Sequence, residues 1–193
     1  MDPEIVALFD MDETLCDHDG ALIKDLEKMR GPHELRLSKL HHPLPNYLYN
    51  RSKFIRATED WWANLPKFKL GWDILKVAQK IGFKIMILTQ GPKNKPHAWS
   101  GKMKWLSKYL PGVDVTMTRD KGLVYGRVLV DDFPPYIERW LKRRPRGLVI
   151  MPAHEGNKEF SHPQVIRYDG KNLRVVKKAL KEAYSRGRHA AAT

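Results

Sequence analysis

Four short apolar runs, each ending abruptly, constrain this 193-residue chain most. Ile5-Val6-Ala7-Leu8-Phe9 ends at Asp10, Ile85-Met86-Ile87-Leu88 at Thr89, Val128-Leu129-Val130 at Asp131, and Leu148-Val149-Ile150-Met151 at Pro152. Runs that are short, unbroken and rich in β-branched residues suit strands covered on both faces, as in parallel sheets; one-sided strands alternate instead. Residues 113–118 do alternate, and read as a further strand. Between the runs lie helical stretches. In 72–81, Trp72, Leu75, Ala78 and Ile81 recur at helical spacing and Gly82 supplies a stop; 102–109, 136–142 and 172–185 are similar. Alternating strand and helix implies an α/β fold with a doubly wound, mainly parallel, Rossmann-like sheet.

Residues 17–70 break that alternation. They are polar and aromatic, interrupted by Pro32, Pro43, Pro45 and Pro66, and read as a small helical cap inserted after the first strand. The expected division is an α/β core of 1–16 and 71–193, a cap of 17–70 and a disordered tail of 186–193. Hydrophobic residues make up 42% of the chain, enough for a core, which excludes wholesale disorder. One cysteine, Cys16, excludes a disulfide framework and a cysteine-based zinc cluster, and reads as a small buried filler. His41-His42 has no cysteine or carboxylate partner at zinc spacing. No signal peptide or membrane-length apolar run is visible, so the expectation is a cytoplasmic protein with no membrane partner.

The formal net charge is +13, which invites a nucleic-acid reading. Its distribution weakens that reading. Residues 139–193 carry 14 basic and four acidic residues, whereas 1–138 carry 21 and 18. The near-balanced part holds the chemistry. Asp10-Met11-Asp12-Glu13-Thr14 follows the first strand immediately, where open α/β sheets form their ligand crevice. Neighbouring carboxylates repel, and a divalent cation offsets that cost; all-oxygen donors suit Mg²⁺. A solvated turn in which Asp10 and Asp12 only cap a helix is the plainer alternative. The second strand ends in Thr89-Gln90, able to hold phosphate oxygens, and the fourth ends in the carboxylate pair Asp131-Asp132. Lys102 begins a helix and Lys121 follows a strand, so either can supply a cation to the crevice.

The ordered set Asp10-x-Asp12-x-Thr14, Thr89, Lys102 and Asp131-Asp132 resembles the haloacid dehalogenase superfamily of Mg²⁺-dependent phosphohydrolases. More narrowly, the chain is similar to the 5′(3′)-deoxyribonucleotidases, on Asp60-Trp61-Trp62, Leu65-Pro66, Gly71, Gly101-Lys102-x-x-Trp105 and Thr118-Arg119-Asp120-Lys121. The resemblance spans 5–133. It departs from the family at Glu13, where glycine is usual, at Gln90, where serine is common, and at His18, where an aromatic residue is expected.

What the resemblance implies is a phosphatase. Asp10 would be the nucleophile and Asp12 the acid and base, with Mg²⁺ held by Asp10, Asp12, Asp131 and Asp132. Thr89, Gln90 and a lysine would bind phosphate; Lys102 is preferred for that role, with Lys121 and Arg119 in support. His18, Trp61 and Trp62 would contact the base of a small-molecule nucleotide, with packing of the cap as the tryptophans' plainer role. Two other functions stay open: a phosphatase acting on polynucleotide ends held by the basic C-terminal region, and a non-catalytic nucleic-acid-binding protein of this fold. His154, after the fifth strand, is placed to rim the crevice, with a surface-loop residue as the plainer reading.

Overall fold

The computed structural model describes residues 4–40 and 43–189; His41 and His42 lie outside them. In chain order the elements are β1 (Val6–Phe9), α1 (His18–Lys28), α2 (Asn46–Ile55), α3 (Glu59–Ala63), α4 (Lys69–Ile81), β2 (Lys84–Thr89), α5 (Pro96–Tyr109), β3 (Asp114–Met117), β4 (Val128–Val130), α6 (Pro134–Lys142), β5 (Leu148–Pro152), β6 (Val165–Tyr168) and α7 (Leu173–His189). Two single 3₁₀ turns, Lys121–Leu123 and Glu155–Asn157, interrupt the loops. The chain forms two compact units, one of 1–15, 67–90 and 113–193, the other of 16–66 and 91–112.

The first unit is built on a six-stranded sheet in the order β3-β2-β1-β4-β5-β6, with every neighbouring pair parallel. Residues 7–9 of β1 and the whole of β4 are fully buried, as the unbroken apolar runs require. On one face, Leu8, Leu129, Val149 and Met151 pack with Ile137, Trp140 and Leu141 of α6. Elsewhere in the unit α4 and α7 bury Ile74, Leu75 and Ala78 with Val176, Leu180 and Ala183, and Phe83 meets Tyr184 edge-on at 5.0 Å. Trp140 is fully buried and donates its indole N–H to the Val124 carbonyl at 3.2 Å. Trp140→Ala should therefore lower the unfolding free energy by about 3–5 kcal/mol in a denaturant titration, the usual cost of emptying a buried aromatic site.

Several features differ from the sequence expectation. The sheet has a sixth strand, β6, at its edge. The helix α7 runs to His189, into the stretch read as a tail, while 190–193 lie outside the described residues. Residues 91–112, expected in the α/β core, belong to the second unit. The reason is the fit of α5 against α3. A Cβ on Gly101 would stand 2.5 Å from both the Glu59 carbonyl oxygen and the Trp62 Cβ, so only glycine permits this approach. Fully buried Trp105 fixes it by donating to the Leu65 carbonyl at 2.8 Å, and Lys104 pairs with Glu59.

The second unit is helical over 16–66, whereas residues 67–70, also expected in the cap, belong to the first unit. Asp17 caps α1 by accepting from the Gly20 N–H at 2.9 Å. Leu22, Leu26 and Leu48 form its small core with Leu37, Leu40, Leu44, Ile55 and Trp61 packed around them. Cys16 is buried, and no helix of the described residues is long and apolar enough to cross a membrane.

Candidate active site

The chain order of the sheet reverses at β1, whose neighbours are β2 on one side and β4 on the other. Loops leaving the carboxyl ends there part in opposite directions, which is where open α/β sheets bind ligands. Phe9 pairs with Val130, so Asp10 and Asp131 follow at one level on adjacent strands. The Asp10 N–H donates to the Val130 carbonyl at 2.9 Å and holds that register past the strand. Thr89 ends β2, two residues beyond the partner of Phe9, and is fully buried.

Beyond Asp10 the backbone turns tightly: the Thr14 and Leu15 N–H groups donate to the Met11 carbonyl at 3.2 and 2.7 Å. Half-buried Asp12 lies in this turn. Glu13 adopts φ of +52°, a left-handed conformation that costs a side-chain-bearing residue roughly 1–2 kcal/mol. That is a physical reason for the glycine common at this position in the resembling family. The turn is backed by α4. A Cβ on Gly71 would stand 1.7 Å from the Thr14 carbonyl oxygen, and the Phe68 N–H and Trp72 indole both donate to the Leu15 carbonyl.

Asp10, Asp131 and Asp132 are all buried, each with a carboxylate oxygen within 4.8 Å of the others'. The Lys121 ammonium sits among them, 2.8 Å from Asp10 Oδ1 and 2.6 Å from Asp131 Oδ2, with only 1% of the residue exposed. Burial alone would depress the Lys121 pKa, but the Asp10 and Asp131 charges outweigh it and raise it, so the lysine stays charged. Burial also drives the Asp131 pKa up to about 7, the Lys121 ammonium opposing it and the Asp10 and Asp132 charges adding to it. The Phe133 N–H donates to Asp131 Oδ1 at 3.0 Å, and the Thr14 hydroxyl to Asp132 Oδ1 at 3.2 Å.

Lys102 is the lysine preferred from sequence for the phosphate. That lysine is buried in the second unit, its ammonium 5.7 Å from the centre of the Trp62 ring. Lys121 is set against the carboxylates, presented by the 3₁₀ turn that Asp120 caps through the Gly122 N–H at 3.0 Å. Arg119 is exposed. Half-buried Gln90 accepts a hydrogen bond from the Tyr136 hydroxyl, and the Tyr136 ring lies 4.8 Å from the Lys121 ammonium.

His154 reaches the carboxylate cluster rather than standing free in a surface loop. Its Nε2 lies 3.1 Å from Asp132 Oδ2, and the Asp132 carboxylate raises its pKa against the depressing effect of burial. Asn157, unnoticed in sequence and 1% exposed, donates to the Asp132 carbonyl at 3.0 Å and the Pro152 carbonyl at 2.9 Å. A polar residue after a strand carries no signal that sets it apart from other loop residues.

In the second unit His18, Trp61 and Trp62 do come together. The His18 ring lies 5.3 Å from Trp61 and 5.5 Å from Trp62, and the two indoles meet edge-on at 5.1 Å. Trp62 is 3% exposed and donates to the Arg56 carbonyl, so it packs the cap. Trp61 is half-buried and donates to Asp25 at 2.9 Å.

Asp10, Asp131 and Asp132 bring three hard carboxylate oxygens within 4.8 Å of one another. Such a set fits a divalent cation of the Mg²⁺ kind better than zinc. The family model for 5′ nucleotidase, deoxy (pyrimidine), cytosolic type C protein matches residues 4–168. Among solved structures, a haloacid dehalogenase family hydrolase from Deinococcus radiodurans R1, with bound phosphate and sodium, is similar at 14% identity and TM-score 0.55. The match covers 95% of this chain and 98% of that one. A haloacid dehalogenase-like hydrolase from Xanthomonas campestris is similar at 13% identity and TM-score 0.53, over 96% and 100% of the two chains. Both likenesses are of fold. No curated protein sequence matches the chain.

Proposed function

This chain belongs to the haloacid dehalogenase-type phosphatase family of the cytosolic type C 5′-deoxynucleotidases, and on that premise we propose that it hydrolyses the phosphomonoester of nucleoside monophosphates, deoxyribonucleotides foremost. One observation carries this reading: a buried ammonium bridging Asp10 and Asp131 at the ends of β1 and β4, with Asp132 beside them. The Lys121 ammonium lies 2.8 Å from Asp10 Oδ1, and a carboxylate is a nucleophile used in phosphoryl transfer.

In the proposed reaction an Asp10 oxygen attacks phosphorus and forms an aspartyl-phosphate as the ester P–O bond breaks. The Asp12 carboxyl gives its proton to the departing alkoxide. The resulting Asp12 carboxylate then takes a proton from water, whose oxygen attacks phosphorus. The bond to Asp10 breaks and inorganic phosphate leaves. The Thr89 hydroxyl and the Gln90 N–H hold non-bridging oxygens, while Lys121 offsets charge near the nucleophile. Mg²⁺, when held by Asp10, the Asp12 carbonyl and Asp131 and Asp132, supplies positive charge to a site otherwise too negative for a phosphate dianion. In the second unit, Trp61 and His18 offer half-buried aromatic faces to a base.

Chelation with EDTA should bring phosphate release from dUMP and dTMP to background, and added Mg²⁺ should restore it. Release that survives chelation contradicts the metal's part in this reading. The exposed basic residues Arg174, Lys177, Lys178 and Lys181 of α7, spaced along one helical face, favour one second reading, a polynucleotide-end substrate. A terminally phosphorylated oligonucleotide hydrolysed faster than dUMP, with an advantage that fades steeply with salt, would support it. A mononucleotide preference insensitive to salt supports the first.

A further inference from the structure

His154 stands outside the reaction just described, yet its ring reaches one member of the carboxylate cluster. Its Nδ1 accepts from the Gly156 backbone N–H at 3.1 Å. A backbone amide can only donate, so Nδ1 carries no proton and the neutral ring must carry its proton on Nε2. That N–H points to Asp132 Oδ2 at 3.1 Å. The ring is held from behind as well: the His154 N–H donates to Asn157 Oδ1 at 3.1 Å, and the Arg167 guanidinium donates to Asn157 Oδ1 and the His154 carbonyl, both at 3.2 Å. Asn157 in turn holds the Asp132 backbone through its carbonyl. With Thr14 on the other carboxylate oxygen, Asp132 is fixed at both oxygens and at its main chain.

We infer that His154 is a positioning residue for the divalent cation: its Nε2–H sets the rotation of the Asp132 carboxylate, the Gly156 N–H holds the imidazole in the required tautomer, and Asn157 and Arg167 hold the His154 main chain in place. The inference rests on the proposed role of Asp132 in cation binding. Partners that orient a ligating group commonly change metal affinity 10–100-fold when removed.

Two substitutions separate this role from support of the loop. Asparagine places Oδ1 where Nδ1 stands, so His154→Asn keeps the Gly156 contact and loses the one to Asp132. Glutamine places Nε2 where the imidazole Nε2 stands, so His154→Gln does the reverse. Mn²⁺ affinity, read from the free-ion electron paramagnetic resonance signal, should stay within about threefold of the unsubstituted protein in His154→Gln and weaken 10–100-fold in His154→Asn. A purely structural His154 gives the opposite order. Undiminished affinity in His154→Asn, or equal losses in both variants, overturns the inference while leaving the metal site standing. No Mn²⁺ binding by the unsubstituted protein overturns the metal reading itself, and this inference with it. A measurement on the unsubstituted chain guards against a variant that fails to fold: the His154 Nε2–H proton resonance should shift along the Mg²⁺ binding isotherm. A resonance that stays in place through saturation counts against the role.

Discussion

Asp10→Asn should reduce Mg²⁺-dependent phosphate release by about 10⁴-fold or more, since loss of a nucleophile that acts as part of a unit removes nearly all of that unit's catalysis. The amide keeps the shape of the carboxylate but cannot form the aspartyl-phosphate. Folding should survive. Asp10 is one of the charges that push the Asp131 pKa upward, and replacing it relieves a repulsion even as it weakens the contact with Lys121. Denaturation midpoints at neutral pH should therefore stay close to those of the unsubstituted protein. Turnover at an undiminished rate in a folded Asp10→Asn variant removes Asp10 from the role of nucleophile.

Lys121→Met should have the second largest effect, and it should be felt in both rate and stability. Methionine replaces the stem but not the charge. Loss of one preorganised charge at a phosphoryl site typically lowers kcat by roughly 10²–10³-fold. The variant also leaves buried Asp10 and Asp131 without their shared ammonium, and breaking a buried pair from one side typically costs about 3–5 kcal/mol. The pH dependence gives this prediction its sign. Burial already holds the Asp131 pKa up at about 7 against an unfolded value of 3.8, and loss of the opposing ammonium pushes it further in the same direction. The folded variant then binds more protons than the unfolded chain from about pH 4 upward, so its stability falls as pH rises through neutrality. Midpoints measured at pH 5 and pH 7.5 should diverge more for Lys121→Met than for the unsubstituted protein. A variant equally stable at both, with unchanged kcat, would place Lys121 outside the site's electrostatics.

The fold was legible where burial is two-sided. β1, β2, β4 and β5 sit inside the sheet, so their sequences are unbroken apolar runs, and the residue that ends β1, β2 and β4 is a candidate site residue: Asp10, Thr89 and Asp131. β6 lies at the edge and was missed. Its apolar pattern is interrupted by Arg167, whose guanidinium turns back to His154 and Asn157 rather than toward solvent. The start of α5 was missed because His97, Ser100 and Gly101 are weak helix formers; Pro96 at its first turn and the close approach to α3 account for it. Lys121 is visible in sequence, but spacing along the chain does not say that a short 3₁₀ turn lifts it into a carboxylate cluster. His154 was the hardest to read, because its role depends on one backbone N–H, that of Gly156, fixing which ring nitrogen bears the proton.

The most direct test of the account is to trap the phosphorylated enzyme. The protein is incubated with Mg²⁺ and dUMP, quenched in acid during turnover, and treated with borohydride, which reduces an acyl phosphate to an alcohol. Peptide mass spectrometry then locates the reduced residue. The account predicts reduction at Asp10, only when substrate was present, together with release of inorganic phosphate. Phosphate release with Asp10 unmodified throughout, or reduction at another carboxylate, would contradict it.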